Sequence, residues 1–168
     1  MTIMDIINQL VNIYFKYEHW QKNKMPYDIA YAYHKKLYEL GNMQIYEEKG
    51  KVLGYVEFWL INFEQFGRII CHETFYADGE NVIRGNIAFV ANVWVDPQYR
   101  NSYIIKELKL KFFKNTFHCD YFVGEAIRKT SSQPIKVFRK SDLSNNLFLS
   151  GELSKYEKKN YLRKEYRR

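Results

Sequence analysis

Four side chains in predicted strands could move a proton. Glu57 lies in the apolar run YVEFW, Glu125 follows the run YFVG, and His72 and Glu73 lie together in CHETF. A carboxylate or an imidazole within hydrogen-bond reach of a reacting group can act as a general base. Glu57 is the leading candidate, and its alternative is a strand glutamate that faces solvent.

Two pairs of histidine and cysteine raise the question of a metal site. Cys71 precedes His72, and His118 precedes Cys119. Neighbouring residues of a strand point to opposite faces of a sheet, so each pair could supply one ligand to a shared centre. A structural zinc takes four ligands. The sequence therefore predicts no metal site.

The composition is typical of a chain that folds around a core. Of 168 residues, 46% are hydrophobic, and no apolar run reaches the roughly 18 residues that a membrane helix needs. The first residues, MTIMDIINQL, lack the positive start and cleavage site of a secretory signal. Two cysteines are too few for a disulfide framework. We expect one domain over residues 1–150, located in the cytoplasm.

The net charge of +7 is concentrated at the C-terminus. Residues 152–168 hold seven Lys or Arg and three Glu, which is +4 of the total. The basic residues are Lys155, Lys158, Lys159, Arg163, Lys164, Arg167 and Arg168. Tyrosines alternate with them, and such a segment could stack on the bases and contact the phosphates of a nucleic acid. The alternative is a solvated, helical tail over residues 151–168.

The first forty residues have the periodicity of two helices. Apolar residues recur at steps of three and four from Ile3 to Tyr17, which predicts a helix with one apolar face. Pro26 fits the first turn of a second helix, which runs through YDIAYAYHKKLYEL and ends at Gly41.

The chain then changes to the period of strands. The segment MQIYEEKGKVLGYVEFWLINF predicts a hairpin that turns at Gly50, RIICHETFYA a third strand, and NIAFVANVWVD a fourth. Helical spacing follows from Ser102 to Phe113, then a strand in CDYFVGEA, while PIKVF fits a helix or a strand. This order predicts an α/β or α+β fold with a twisted, mostly antiparallel sheet flanked by helices.

Three segments together resemble the GNAT acetyltransferase superfamily. They are YEEKGKVLGYVEFW, VWVDPQYRNSYIIKELKLKFF and YFVGEAIRKTSSQPIKVFRKSDL. The resemblance covers Ile29 to Leu143, and its most specific element is VWVDPQYR, which stands at the family's signature segment. It implies a GNAT-like fold: two helices, a hairpin, a strand that ends in the signature, a loop with a long helix, and a further strand followed by a tyrosine-bearing helix.

The resemblance implies a site for acetyl-CoA or another acyl-CoA on this strand and loop. The backbone of Asn92–Val95 would pair with the pantetheine arm, and the amides from Arg100 to Ile105 would hold the pyrophosphate at the helix start. The residues implied are Val93, Trp94, Val95, Arg100, Asn101, Ser102, Tyr103, Ile104 and Ile105. Tyr103 and Ile105 stand where the family has glycines, and their side chains would crowd a pyrophosphate.

A second departure from the family lies in SSQPIKVFRKSDL. The family often has a tyrosine there that protonates the leaving thiolate, and Phe138 stands in its place. A phenyl ring has no proton to donate, so this step cannot run through that position. Ser131, Pro134 and Asp142 replace the family's asparagine, alanine and glycine.

The resemblance also gives Glu57 a role, because a carboxylate beside the family's substrate cleft would deprotonate an amine, directly or through water. A more distant similarity is to the toxin-activating lysine acyltransferases, which resemble degenerate GNAT proteins without the glycine loop. Their catalytic histidine and aspartate would correspond to His19 and Asp96. The alternative for His19 is a polar residue at a helix end.

Three functions are compatible with this resemblance. The first is a GNAT-like acyltransferase that moves an acetyl or other acyl group from acyl-CoA to an amine on a small molecule or a protein. The second is a catalytically inactive GNAT fold of phage or mobile-element origin, in the host cytoplasm or the virion, that contacts nucleic acid or a protein partner. The third takes its acyl group from an acyl carrier protein, a donor without a nucleotide pyrophosphate.

Overall fold

The computed structural model describes residues 2–16, 25–70, 85–100, 102–125 and 135–140. They divide between two compact units. The first unit comprises Met1–Phe58 with Asn92–Leu108, and the second comprises Trp59–Ala91 with Lys109–Arg168.

The two predicted N-terminal helices are present in the first unit. Helix α1 spans Ile3–Lys16 and helix α2 spans Tyr27–Glu39. The buried residues of α1 are Ile7, Leu10 and Val11. Pro26 lies just before the first turn of α2, and Gly41 has φ 73°, the left-handed conformation in which helices commonly end. Within the part of the chain that the structure describes, no helix has the length and hydropathy of a membrane span.

The hairpin predicted around Gly50 is confirmed. Strands β1, Met43–Glu48, and β2, Lys51–Ile61, pair antiparallel. Lys49 and Gly50 both have positive φ, 52° and 77°, which is the backbone of the tight turn that suits the strand twist. The side chain of Gln9 on α1 donates from Nε2 to the Gly50 carbonyl at 3.0 Å, so the hairpin is tied to the helix.

Gly54 of β2 allows helix α4 to begin close to the strand. Helix α4 spans Ile104–Asn115, two residues later at each end than predicted. A Cβ on Gly54 would lie 2.9 Å from Leu108 Cδ1, 3.1 Å from the Trp94 carbonyl oxygen and 3.2 Å from Ile104 Cγ2. A side chain at this position would push the first turn of α4 away from β2.

The strand predicted from NIAFVANVWVD is also present. It is β3, Ile87–Val95, and a short 3-10 helix, Pro97–Tyr99, follows it. The Asp96 amide donates to the Leu53 carbonyl at 2.9 Å, which holds the end of β3 to β2.

The predicted third strand is wrong where the structure describes it. Residues 68–70 of RIICHETFYA end helix α3, Phe63–Ile70, and residues 71–77 lie outside the described residues. The helix start explains the difference: the Gln65 amide donates to Asn62 Oδ1 at 2.8 Å, and the Asn62 amide donates to Gln65 Oε1 at 3.1 Å. This reciprocal capping favours a helix over the strand preference of the isoleucines.

The remaining strands complete a five-stranded sheet. Strand β4 is Tyr121–Glu125 and strand β5 is Ile135–Arg139, so PIKVF lies in a strand. The sheet order is β1-β2-β3-β4-β5. Strand β4 runs parallel to β3 and antiparallel to β5. The predicted mixed α/β fold with a largely antiparallel sheet is confirmed.

Aromatic packing joins the later turns of α4 to β4 in the second unit. The Phe112 and Phe113 rings lie 5.9 and 5.1 Å from the ring of Phe122, with edge-to-face geometry. Lys140, just after β5, places its ammonium 3.6 Å from the centre of the Phe117 ring and donates to the Phe117 carbonyl.

Candidate active site

Glu57 is a buried acid in the middle of β2. The strand is buried without a break from Val52 to Trp59, and Glu57 itself is 2% exposed. The alternative of a solvent-facing glutamate is therefore wrong. A carboxylate that has lost its water is costly unless hydrogen-bond donors replace that water.

Both carboxylate oxygens of Glu57 accept hydrogen bonds from side chains of the first unit. The phenol of Tyr33 on α2 donates to Oε1. The amide of Asn92 on β3 donates from Nδ2 to Oε2 at 2.9 Å. We call Tyr33, Glu57 and Asn92 the carboxylate cluster. It fixes the orientation of the carboxylate with respect to α2, β2 and β3.

His34 lies next to the carboxylate cluster on α2. Its Nδ1 is 2.7 Å from the Ala30 carbonyl, so Nδ1 carries the proton that is donated to that oxygen. Its ring stands edge-on to the Tyr33 ring at 5.5 Å. Burial lowers the pKa of His34, while the bond to Ala30 and the charge of Glu57 act in the opposite direction. At neutral pH this imidazole is uncharged.

Tyr55 belongs to the core around the cluster. Burial, and then the charge of Glu57, raise the pKa of the Tyr55 phenol well above its usual range. Its ring stacks on the Trp94 indole with centroids 5.9 Å apart. Tyr55 therefore stays protonated at neutral pH and packs as a hydrophobic residue.

The three β3 residues assigned to the donor site differ in exposure. Val93 is about half exposed, whereas Trp94 and Val95 are buried. The ladder with β4 covers Ile87–Val90, and Asn92–Val95 continue the strand beyond that ladder.

Asp96 fixes the turn between β3 and α4. Its Oδ1 accepts from the Gln98 amide at 3.1 Å, which caps the 3-10 helix, and its Oδ2 accepts from Lys51 Nζ at 2.8 Å. The hydrogen bond from Lys51 is the largest cause of a lowered pKa at Asp96. Asp96 thus holds the loop to the hairpin.

Two amides at the start of α4 are already engaged within the chain. The Ser102 amide donates to the Tyr99 carbonyl at 3.0 Å. The Ile104 amide donates to Ser102 Oγ at 3.3 Å, which makes Ser102 a helix cap. Arg100 is exposed, and Asn101 lies outside the described residues.

Tyr103 leans from the start of α4 onto β1. Its hydroxyl lies 2.9 Å from the hydroxyl of Tyr46, and the two rings meet edge to face. Tyr103 is 54% exposed, so the pair lies at the surface of the first unit. The next residues of the segment turn inward: Ile104 is buried and Ile105 is partly buried.

Phe138 lies in β5, with its Cα opposite that of Phe122 in β4. The family's tyrosine is borne by a helix, whereas Phe138 lies in a strand, which is one of the two alternatives predicted for PIKVF. Ile135, Val137 and Phe138 are residue types that favour strands, and pairing with β4 gives their backbone its hydrogen bonds.

The remaining candidates are mostly outside the described residues. These are His19, Cys71, His72, Glu73, Ser131, Pro134, Asp142 and the seven basic residues from Lys155 to Arg168. The nucleic-acid site and the lysine-acyltransferase histidine stay predictions. Glu125 is the last residue of β4.

His118 and Cys119 are described and lie next to each other. The Cys119 thiol is 3.6 Å from His118 Nε2. Burial is the largest cause that raises the pKa of Cys119 to about 11, so the thiol is protonated at neutral pH. Within the described ranges no three acidic, His or Cys side chains are grouped as metal ligands.

The sequence did not indicate the two donors that hold Glu57. The resemblance gives Asn92 only a backbone role. An amide inside the apolar run FVANVWV is nevertheless a signal, because a polar group in such a strand needs a partner. Tyr33 carried no signal, since it is one of 15 tyrosines.

Comparison with protein families decides the identity of the fold. The model of the Acetyltransferase (GNAT) family matches residues 7–126. The chain belongs to the GNAT family. The predicted resemblance is thereby confirmed, whereas the similarity to the toxin-activating lysine acyltransferases stays a prediction. No curated protein sequence matches this GNAT chain.

Solved structures of GNAT proteins are similar to this chain at low sequence identity. The GphF GNAT-like decarboxylase in complex with isobutyryl-CoA is 12% identical over 73% of this chain, with a TM-score of 0.51. This GNAT chain spans 62% of that protein's length. At this identity the similarity shows the shared fold.

Two further structures fall below a TM-score of 0.5. Diaminobutyrate acetyltransferase EctA from Paenibacillus lautus, in complex with L-2,4-diaminobutyric acid and coenzyme A, is 12% identical, with 90% of this chain and 71% of that chain covered and a TM-score of 0.47. A possible acetyltransferase from Clostridium difficile 630 is 15% identical, with coverages of 78% and 79% and a TM-score of 0.47.

Proposed function

We propose that this GNAT protein transfers an acyl group from a thioester donor, acyl-CoA or an acyl carrier protein, to an amine, with Glu57 as the general base. Family membership supports the reaction class. The observation that carries the assignment of the base is that Tyr33 and Asn92 hold both oxygens of a buried carboxylate in β2. A side chain positioned by its neighbours loses little entropy when it takes part in a reaction.

The proposed step balances as a simple acyl transfer. The amine nitrogen attacks the thioester carbonyl carbon, the carbon–sulfur bond breaks, and the thiolate leaves. Glu57 takes the proton of the amine, directly or through one water. The proton that the thiolate needs comes from solvent or from the protonated base, because Phe138 has none to give.

In this proposal the donor lies along the end of β3. The backbone of Asn92–Val95, beyond the ladder with β4, pairs with the pantetheine arm. Arg100 and the start of α4 follow this stretch of backbone in the chain. The acceptor is an amine on a small molecule or a protein.

A second candidate is a GNAT fold that binds a partner and has no catalytic activity. The observation that favours it is the engagement of the α4 start: the Ser102 and Ile104 amides have acceptors within the chain, and Tyr103 replaces a glycine. In this case Glu57 serves only to join α2, β2 and β3.

Ligand binding and turnover separate the two candidates. Calorimetry with acetyl-CoA, isobutyryl-CoA, CoA and an acetylated carrier protein should show binding of at least one donor, and absence of binding at millimolar ligand would remove the acyltransferase proposal. Turnover is then measured as thiol release with a panel of primary amines.

Glu57→Gln tests the base. Gln can still accept from Asn92 and donate to the Tyr33 hydroxyl, so the fold should survive. We expect kcat to fall by roughly 10²–10⁴. The matched control is Glu48→Gln, which removes an exposed carboxylate at the end of β1 and should leave turnover unchanged. An unchanged rate in Glu57→Gln would exclude Glu57 as the base.

A further inference from the structure

The start of α4 determines which part of the donor this protein can recognise. A helix start binds a pyrophosphate through several N–H groups that have no acceptor of their own. Here Ser102 supplies internal partners for that region: its amide donates to the Tyr99 carbonyl, and its hydroxyl accepts from the Ile104 amide. The Ser102 hydroxyl itself donates to the Tyr99 carbonyl at 2.6 Å. A phosphate would have to displace these bonds.

The side chain of Tyr103 adds a steric obstacle at the same place. Gly54 lets the first turn of α4 settle against β2, and Tyr46 pairs with Gly54 across the hairpin. The Tyr103 ring consequently reaches Tyr46 and is fixed there by the hydroxyl pair at 2.9 Å. Backbone close to a pyrophosphate requires small residues, and this surface presents two phenol rings.

Two carboxylates, Glu48 and Glu107, act on the tyrosine pair, although the exposed cations Arg100 and Lys106 belong to the same turn and helix. The hydrogen bond with Tyr103 is the largest cause that raises the pKa of Tyr46 to about 12, and the charges of Glu48 and Glu107 act in the same direction. The nearby ammonium of Lys51 is bound to the Asp96 carboxylate. The residues present therefore do not fit a nucleotide pyrophosphate.

We infer that this protein recognises its donor as an acyl-pantetheine thioester, through the acyl group and the pantetheine arm, and that the ADP portion of coenzyme A contributes nothing to recognition. This rests on the proposed function. The donor chemistry is shared by a small acyl-pantetheine and by the same group carried on an acyl carrier protein. With either source, the backbone of Asn92–Val95 is enough to recognise the pantetheine arm. The start of α4 is not needed for recognition, because it does not bind a pyrophosphate.

The test compares acetyl-CoA, acetyl-pantetheine and an acetylated carrier protein as donors for the full chain. We expect kcat/KM for acetyl-pantetheine within about threefold of that for acetyl-CoA. Each charge-assisted bond to a phosphate changes affinity by about tenfold or more, so a loop that held the pyrophosphate by two bonds would prefer acetyl-CoA by about 100-fold or more. Such a preference would overturn the inference. A further gain with the carrier protein identifies the protein-borne source, and its absence identifies the small thioester.

Binding keeps this test independent of catalysis. If no donor supports transfer, the proposed function fails, and calorimetry still decides the present inference. Equal affinities for acetyl-pantetheine and acetyl-CoA support the inference that the ADP portion is not recognised. Binding of acetyl-CoA alone contradicts this inference, and so does the absence of binding by both thioesters.

Two variants test whether side chains at the start of α4 contribute to binding of the phosphates of acetyl-CoA. Arg100→Ala removes an exposed guanidinium at the turn and should leave the ratio between the two donors unchanged. Tyr103→Gly restores the small residue and should leave acetyl-CoA at least as good a donor as before. A loss of about tenfold that is specific to acetyl-CoA in either variant would show that the side chain binds phosphate, contrary to the inference.

Discussion

The phenol of Tyr33, in the middle of α2, donates a hydrogen bond to the carboxylate of Glu57 on β2, 24 residues later in the chain. Asn92, 35 residues beyond Glu57, supplies the second donor. Three segments that are distant in sequence thus meet at one buried carboxylate. The stability of the first unit should therefore depend on this cluster and on the packing around it.

Tyr33→Phe should destabilise the protein by about 1–3 kcal/mol, because a buried carboxylate oxygen loses its donor while the ring remains. Urea unfolding gives the difference in free energy. The control is Tyr27→Phe on the same helix, where the ring is exposed and its hydroxyl is 3.5 Å from Asn8 Oδ1. Equal losses in both variants would contradict a special role of the Tyr33–Glu57 bond.

Asn92→Asp should make stability depend on pH. The variant has nearly the shape of the parent but sets a second carboxylate against Glu57, and an uncompensated buried charge costs about 3–5 kcal/mol. One carboxyl of the pair then has a raised pKa, so the penalty is present above that pKa and disappears as the pH falls through it. Unfolding midpoints measured from pH 7 to pH 4 check this. Asn12→Asp, at an exposed position of α1, should show no comparable loss at pH 7.

Gly54→Ala should lower the free energy of unfolding by about 1–3 kcal/mol, which is the destabilisation typical of an overpacked core. The new Cβ would meet the Trp94 carbonyl oxygen at 3.1 Å, and a backbone atom cannot move aside as a side chain can. Gly67→Ala is the matched control, because Gly67 lies in α3 and a Cβ there has nothing within 4 Å. The free energy of unfolding of this control should rise by about 0.5–1 kcal/mol, because Ala favours a helix more than Gly does. A stable Gly54→Ala protein would show that α4 is not confined against β2.

The free energy of unfolding of the parent protein should decrease as the pH falls below neutral, and His34→Gln should remove part of that decrease. The pKa of folded His34 is lowered by burial, so the unfolded chain takes up the proton first as the pH falls below about 6.5. The stability that neutral His34 contributes is complete above that pH and is lost as the pH falls toward the folded pKa, by at most about 1.4 kcal/mol per pH unit. Unfolding free energies of parent and variant from pH 8 to pH 5 should converge or cross on the acid side. If the two free energies of unfolding changed with pH in parallel, His34 would not be the source of the pH dependence.

Several features of the fold could be predicted from local patterns. The apolar stripe of α1, the hairpin at Gly50 and the strand that ends before Pro97 each follow from the spacing or conformation of a few neighbouring residues. Where two local preferences compete, the prediction fails: isoleucines at residues 69 and 70 favour a strand, yet the reciprocal cap of Asn62 and Gln65 starts a helix that includes them.

The sequence by itself determined that this chain is a GNAT fold, because VWVDPQYR and the hairpin are read from consecutive residues. The sequence also indicates Glu57 as the leading candidate for a general base, a role that the Glu57→Gln variant tests. Only the tertiary structure decided that Glu57 is buried and that its donors are Tyr33 and Asn92. It likewise decided that Tyr103 pairs with Tyr46 over the hairpin. Hydrogen bonds between distant segments form only when helices and strands have packed together. That packing depends on many residues at once, so it does not follow from a short local pattern in the sequence.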